Sequence, residues 1–323
     1  MIERSRSESI LLADVGGTNV RFAVLERGKL GPIAHMAVAD HRRFTDALET
    51  FLASRSGDPA IRHVLFGAAG VVRDQRCELT NSSWLIDARE LCAQFEFSDV
   101  HIVNDFEAIG WALPRFTPAD LLALGGGRPA ADAPMLVLGP GTGLGVAAYL
   151  PNGQGGRVVS SEYGHSTLPS VSAREDAIIE RLRQRFAHVS AERVLSGEGL
   201  TNLYYAIASL DGVVIPKRSA PEISKAGVAG SCQICRAALD AFCAWLGEVA
   251  GNLALAFGAR GGVFIAGGIV RHICEYMLKS QFRSRFQAKG RMSGYVEAVP
   301  TYLIVHEDPA FVGLQFLAAQ RSS

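Results

Sequence analysis

The stretch Leu11-Leu12-Ala13-Asp14-Val15-Gly16-Gly17-Thr18-Asn19-Val20-Arg21-Phe22-Ala23-Val24-Leu25 holds two apolar runs on either side of a glycine-rich turn. Residues 10–13 lead into Asp14, Gly16-Gly17-Thr18-Asn19 turn the chain, and residues 21–25 resume the apolar pattern, so the segment reads as strand, turn and strand. The plan recurs where residues 135–138 lead into Gly139-Pro140-Gly141-Thr142-Gly143 and out through residues 144–150. Two such segments with matching Gly-Thr turns indicate an internally duplicated α/β chain. Its 323 residues make roughly two domains of the usual size, about 100 to 200 residues each.

Working outward, Phe44, Leu48, Phe51 and Leu52 fall on one helical face, and Val64-Leu65-Phe66 returns to strand. Asp87 is placed to cap a helix carrying Leu91, Cys92 and Phe95. Residues 100–103 are a buried-type strand ending at Asn104-Asp105, and the helix from Phe106 stops before Pro114. Pro114, Pro118, Gly125-Gly126-Gly127, Pro129 and Pro134 then punctuate a connector. The expected division is a small α/β domain over residues 1–115 and a large one over 116–305, with a helix in 306–323 packing back on the small domain. In the large domain Ser172-Ala173-Arg174-Glu175 has the capping-box pattern, Ser190 is read as the cap of a helix carrying Glu192, and residues 232–257 form one long buried helix. Strands follow at 263–266 and 301–305, and a last helix at 310–320.

Lysine plus arginine and aspartate plus glutamate each total 32, so the basic excess that a nucleic-acid backbone demands is missing. With 48% hydrophobic and 20% charged residues, the chain resembles globular rather than disordered sequences. The most apolar run, residues 261–270, is half a membrane span and is broken by glycines. The start, MIERSRSESI, has no apolar run of signal-peptide length. These features lead us to expect a soluble cytoplasmic protein with no membrane or nucleic-acid partner and with free thiols at its six cysteines. Glycine, at 34 residues well above the average share, asks for tight turns or close backbone approach to a ligand.

Three glycine-rich turns each follow a strand: DVGGTN at 14–19, GPGTGLG at 139–145 and AGGI at 266–269. Without a Cβ, backbone N–H groups approach phosphate oxygens closely, and a threonine hydroxyl adds a donor. Any one of these turns reads equally as an ordinary hairpin turn. Three together, two in equivalent places of a duplicated pattern, indicate a nucleotide site. The P-loop pattern is absent, so the site is of another kind. Asp14, at a strand end, either holds the water shell of Mg²⁺ near the phosphates or bonds the N–H groups of its own turn. Asn104-Asp105 ends an apolar strand, where α/β folds place catalytic groups, or else caps the following helix.

With TNSSW at 80–84, IVNDFEAIGWALP at 102–114, LGPGTGLGVA at 138–147, SEYGH at 161–165, HVSAERVLSGEGLTNLYYAI at 188–207 and GGVFIAGGIV at 261–270, the chain resembles bacterial glucokinases, in family order and over almost its whole length. The resemblance implies a two-domain hexokinase/actin-like (ribonuclease H-like) α/β fold closing on ATP and sugar in a cleft between the domains. It also implies transfer of the γ-phosphoryl group of Mg·ATP to the glucose 6-hydroxyl, the first step of glycolysis. Residue by residue, it makes Asp105 the general base and Asn104 a neighbouring hydroxyl ligand, assigns Glu162, His165 and Glu192 to further sugar hydroxyls, and sets Asn81 close to them. Ala13, Asp14, Val15, Gly16, Gly17, Thr18 and Asn19 match the ATP segment. Gly141, Thr142 and Gly143 then face the phosphates and Gly267-Gly268 the adenosine. ATP and Mg²⁺ are the implied cofactors, with Asp14 on the metal through water, and a homodimer is the implied assembly.

The chain departs from the family pattern at Tyr163, where a glycine is usual, at Val71, where a proline is usual, and at Glu198 in Ser196-Gly197-Glu198-Gly199. Tyr163 keeps a kinase of another hexose or an amino sugar in view. A non-catalytic sugar sensor and an actin-like polymerising ATPase are the other readings; Asp105 argues against the first and the sugar-binding carboxylates against the second. Cys232-Gln233-Ile234-Cys235 lacks the second pair that a four-ligand zinc site requires and reads as thiols on a helix.

Overall fold

The first hairpin consists of β1 (Ile10–Val15) and β2 (Asn19–Glu26), antiparallel, in a register that sets Asp14 opposite Arg21 and Val15 opposite Val20. The computed structural model describes residues 9–55, 60–153 and 155–321; the polar N-terminal residues 1–8 lie outside them. β3 (Lys29–Leu30) and β4 (Ala34–Ala37) both pair with β2, and α1 (Phe44–Ala53) follows. β5 (His63–Ala68) lies parallel to β1. β6 (Gly70–Arg73), β7 (Arg76–Leu79) and β8 (Leu85–Asp87) make a separate three-stranded antiparallel sheet. Asp87 then caps α2 (Ala88–Phe95), accepting the N–H groups of Arg89 and Glu90. β9 (Asp99–Asn104), parallel to β5, runs straight into α3 (Asp105–Ala112).

β1 is buried on both faces, as a strand covered on both sides must be. Leu11, Ala13 and Val15 pack with Phe22, Phe44, Phe66 and Trp84, while Leu12 points the other way, toward Ala23, Leu65, Phe311 and Leu314. The period-two alternation thus feeds two cores from one strand.

The second unit opens with β10 (Leu121–Gly125), β11 (Met135–Pro140), β12 (Leu144–Leu150) and β13 (Arg157–Ser161). α4 (Ala173–Arg183), α5 (Gly197–Leu210), α6 (Ala220–Val228) and α7 (Gln233–Phe257) follow, then β14 (Gly262–Ile265). The short α8 (Gly268–His272), α9 (Cys274–Lys279), α10 (Phe282–Gln287) and α11 (Ser293–Glu297) lead to β15 (Thr301–Ile304). α12 (Pro309–Arg321) belongs with the first unit, which comprises Met1–Phe116 and Glu307–Ser323; the second comprises Thr117–His306. α12 lies against α3 so closely that the Ala108 carbonyl leaves no room for a Cβ at Gly313.

The two large sheets share one plan. β1 pairs antiparallel with β2 and parallel with β5, which pairs with β9; β11 pairs antiparallel with β12 and parallel with β14, which pairs with β15. The duplication read from the turns therefore extends to whole sheets.

The punctuated connector contains β10, which pairs antiparallel with β15. Two local expectations are corrected. Ser190 makes no side-chain cap and precedes only a three-residue 3-10 turn, Ala191–Arg193. At Ser172 half of the capping box forms: its hydroxyl accepts the Glu175 N–H, but the Glu175 carboxylate turns to the Val171 N–H and to Arg285, 2.6 Å away. A charge-assisted bond to a guanidinium outweighs one to a neutral N–H.

Candidate active site

In the first unit the strand ends gather the carboxylates. Asp14, almost fully buried at the end of β1, is ion-paired with Arg21 across the hairpin, and Arg21 also binds Asp308 at 2.5 Å. Of the two readings of Asp14, the one in which it serves its own turn is not supported, since the turn closes through the Gly16 N–H to the Asn19 carbonyl at 2.9 Å. Burial raises the Asp14 carboxyl above its ordinary value, and the Arg21 charge only partly offsets this.

Asn104, not Asp105, caps α3. Its carbonyl oxygen accepts the N–H groups of Phe106 at 2.9 Å and Glu107 at 3.3 Å, while its amide donates to the Gly70 carbonyl at 3.1 Å. Asp105 is the first residue of the helix, half-buried, and one of its oxygens accepts the Phe106 N–H at 3.0 Å. Burial, and then the negative charge of Asp14, push its carboxyl up to about 7, against the backbone N–H groups and Asn104, which favour the ionised form. A carboxyl poised near neutrality suits proton transfer at physiological pH. The Asn81 Cβ stands 2.8 Å from where a side chain would begin at Gly17, so Asn81 backs the first glycine turn; Thr18 and Asn19 are exposed on it.

In the second unit the β11–β12 turn is braced from outside. Glu192, on its 3-10 turn, accepts the Leu144 N–H at 2.8 Å, and its carboxylate fills the space that a Cβ at Gly143 would take. The Gly197 N–H, at the start of α5, donates to the Gly141 carbonyl at 2.9 Å. Thr142 is left exposed at the tip. Gly164 lies against Leu144, where a Cβ would come within 2.5 Å of the Leu144 carbonyl. On either side of Gly164, Glu162 and His165 are exposed with 3.7 Å between them, while the Tyr163 ring packs against the hydrophobic core. Gly267 has φ +106° and sits against the Pro140 carbonyl, so the third glycine turn abuts the second; both features require glycine.

Within each unit the structure therefore brings together Asp14 with Asp105, Asn81 with Gly17, Glu192 with Gly143, and Gly267 with Pro140. Arg21, Asp308 and Leu144 escaped the sequence reading. Arg21 was legible in principle, because it stands in register with Asp14 about the turn; Asp308 is distant in sequence and carries no motif. Asp14 and the half-buried Asp105 are oxygen donors of the kind taken by a hard cation that keeps most of its water, with Asp14 also ion-paired with Arg21. Among the described residues no group of three or more His, Cys, Asp or Glu forms a metal-binding cluster, and no helix is long and apolar enough to cross a membrane.

The glucokinase family profile matches residues 11–321. The chain is 44% identical to the glucokinase of Paramagnetospirillum magneticum over 95% of its own length and 97% of that protein's. A glucokinase from an Antarctic psychrotroph superposes with a TM-score of 0.86 at 33% identity, covering 98% of this chain and 99% of that one. A ROK family glucokinase from Streptomyces griseus, in complex with glucose and AMPPNP, shares the fold at 18% identity, with a TM-score of 0.63 over 97% of this chain and 99% of that one. A duplicated sheet, glycine turns at matching strand ends and a carboxylate at the start of α3 thus coincide with similarity over nearly the whole sequence, and the chain belongs to the glucokinase family.

Proposed function

We propose that the protein transfers the γ-phosphoryl group of ATP to the 6-hydroxyl of glucose, with Asp105 as the general base. The observation that carries this reading is the Asp105 carboxyl itself, released from capping by Asn104 and held near neutrality by burial and by Asp14. A sugar hydroxyl is a weak nucleophile, and a carboxylate within hydrogen-bond reach orients it and accepts its proton as the bond to phosphorus forms. Asn104 keeps one of its two amide hydrogens for a neighbouring hydroxyl. The exposed pair Glu162 and His165, together with Glu192, supplies further sugar contacts, and Asn81 is a further sugar-side residue.

On the nucleotide side, Gly16 to Asn19 and Gly141 to Gly143 offer backbone N–H groups and the exposed hydroxyls of Thr18 and Thr142 to phosphate oxygens, with Gly267-Gly268 beside the adenosine. Asp14 would hold Mg²⁺ through water, and the ion would neutralise charge on the phosphate oxygens. The family's usual homodimer and cytoplasmic location complete the proposal. ATP turnover is expected to require sugar, whose hydroxyl is the acceptor of the phosphoryl group.

A coupled ADP-release assay with a panel of hexoses tests this. Glucose is expected to have the highest kcat/KM, with no turnover when either sugar or Mg²⁺ is withheld. A different preferred hexose would refute the sugar assignment and implicate the loop around Tyr163. Equally fast ATP turnover without sugar would refute the kinase reading.

A further inference from the structure

The Cys232-Gln233-Ile234-Cys235 motif takes no part in the proposed reaction, yet its setting differs from that of the other cysteines. Cys232 is the N-cap of α7, a helix of 25 residues, and its half-buried sulfur accepts the Cys235 N–H at 3.5 Å. Cys235 lies one turn further in and is fully buried against α6, where its carbonyl would stand 2.9 Å from any Cβ at Gly227. One sulfur thus sits at the positive end of a long helix and the other one turn below, on the same side.

A third component comes from the loop between α5 and α6. Arg218 brings its charge beside both sulfurs and beside the hydroxyl of Tyr204, a buried ring whose O–H donates to the Pro216 carbonyl at 3.1 Å. The Arg218 Nε is itself buried and has no hydrogen-bond partner. The half-buried guanidinium also bonds the Tyr204 hydroxyl, and an anionic sulfur nearby would favour the positive charge whose Nε is left unsatisfied.

We propose that Cys232 and Cys235 form a redox-active dithiol that exchanges with small-molecule disulfides. The Cys232 thiolate attacks one sulfur of the disulfide, forms a mixed disulfide and expels one thiolate. Cys235 then gives its proton to solvent, attacks the Cys232 sulfur and expels the second thiolate, leaving an intramolecular disulfide. The dithiol loses two electrons and two protons, and the small disulfide becomes two thiols.

The roles follow from the surroundings. Burial pushes the Cys232 thiol up, but the N–H and thiol of Cys235, the Ile234 N–H and Arg218 more than offset it, so the group lies below the ordinary thiol value. Cys235 is pushed up to about 11 by burial and by its bond to Cys232, which suits the resolving partner. Cys77 and Cys243 are buried and pushed up to about 11 and about 12. Cys92 and Cys274 are half-buried and lie outside any CxxC pair.

The full-length chain is incubated with oxidised glutathione near pH 7, quenched in acid, and read by intact mass and thiol titration. The wild type should lose two of its six thiols without retaining glutathione. Cys235→Ala should stop at a glutathione adduct on Cys232, and Cys232→Ser should not react on that timescale. Arg218→Gln should slow the first step about tenfold near pH 7 and little near pH 9, where the thiol is ionised in any case. Each reduced variant should phosphorylate glucose like the wild type, which separates this proposal from the kinase assignment. Adducts on Cys92 or Cys274 forming as fast as on Cys232, or a Cys235→Ala chain that carries no adduct, would overturn it.

Discussion

At the second pair from the turn, the first hairpin sets Asp14 opposite Arg21, whereas the second sets Gly139 opposite Gly145. One hairpin carries its own ion pair. The other carries no side chain there and takes its carboxylate from Glu192, 48 residues away from Leu144. A further pair of equivalent strand ends also differs: β9 runs into Asn104-Asp105, while its counterpart β15 runs into Val305-His306. A duplicated scaffold determines where loops converge, not which groups they present. Here the first copy carries the carboxylates Asp14 and Asp105 at its strand ends, and the second carries glycines at the equivalent turn, braced by Glu192. Phosphoryl transfer needs a base for the hydroxyl and a cradle for the phosphates.

The comparison is tested most severely at Asp105. Asp105→Asn keeps the side chain's size but cannot take a proton, so kcat should fall by at least roughly a hundredfold while glucose Kd, measured separately, moves far less. Because Asn104 is the cap, α3 should be unharmed. The folded chain holds the Asp105 proton up to about pH 7, whereas the unfolded chain releases it in the ordinary carboxylate range. Stability from this group is therefore full at low pH and declines as pH rises through that window. Asp105→Asn removes the decline, so its Tm should exceed the wild type's at pH 8 and equal it near pH 4. A variant with near-wild-type kcat would show that the first unit's carboxylate is not the base.

Glu192 tests the second hairpin. Glu192→Ala leaves the buried Leu144 N–H without its acceptor, a loss of about 1–3 kcal/mol, whereas Glu192→Gln keeps an oxygen there. Binding of a non-hydrolysable ATP analogue without sugar should weaken about tenfold in the alanine variant and little in the glutamine one, as expected from that penalty. Equal affinity in all three proteins would mean that the turn holds its shape unaided.

The smallest effect is a shift of shape. Asp14→Asn removes the negative charge that helps to raise Asp105, so the acidic limb of kcat/KM against pH should move to lower pH, whatever happens to the maximum rate. An unmoved limb would assign the raised carboxyl to burial alone.

What could be read from the sequence alone was local. Both hairpins, α1, the Asp87 cap, the long α7 and the strand ending at Asn104 follow from apolar periodicity and from glycine, proline and capping residues within a few positions of one another. The duplication was legible for the same reason, since matching turns sit between matching strands. Choices among distant partners were not. Only the folded chain pairs Arg21 with both Asp14 and Asp308, turns Glu175 from its capping box to Arg285, lays Gly313 on Ala108, and joins β10 to β15. It also decides that Asn104 caps α3 while Asp105, the first residue of the helix, has its carboxyl raised to about 7. Two adjacent polar residues at a strand end look alike in a string of letters, and burial and neighbouring charge, which are sums over the whole environment, distinguish them.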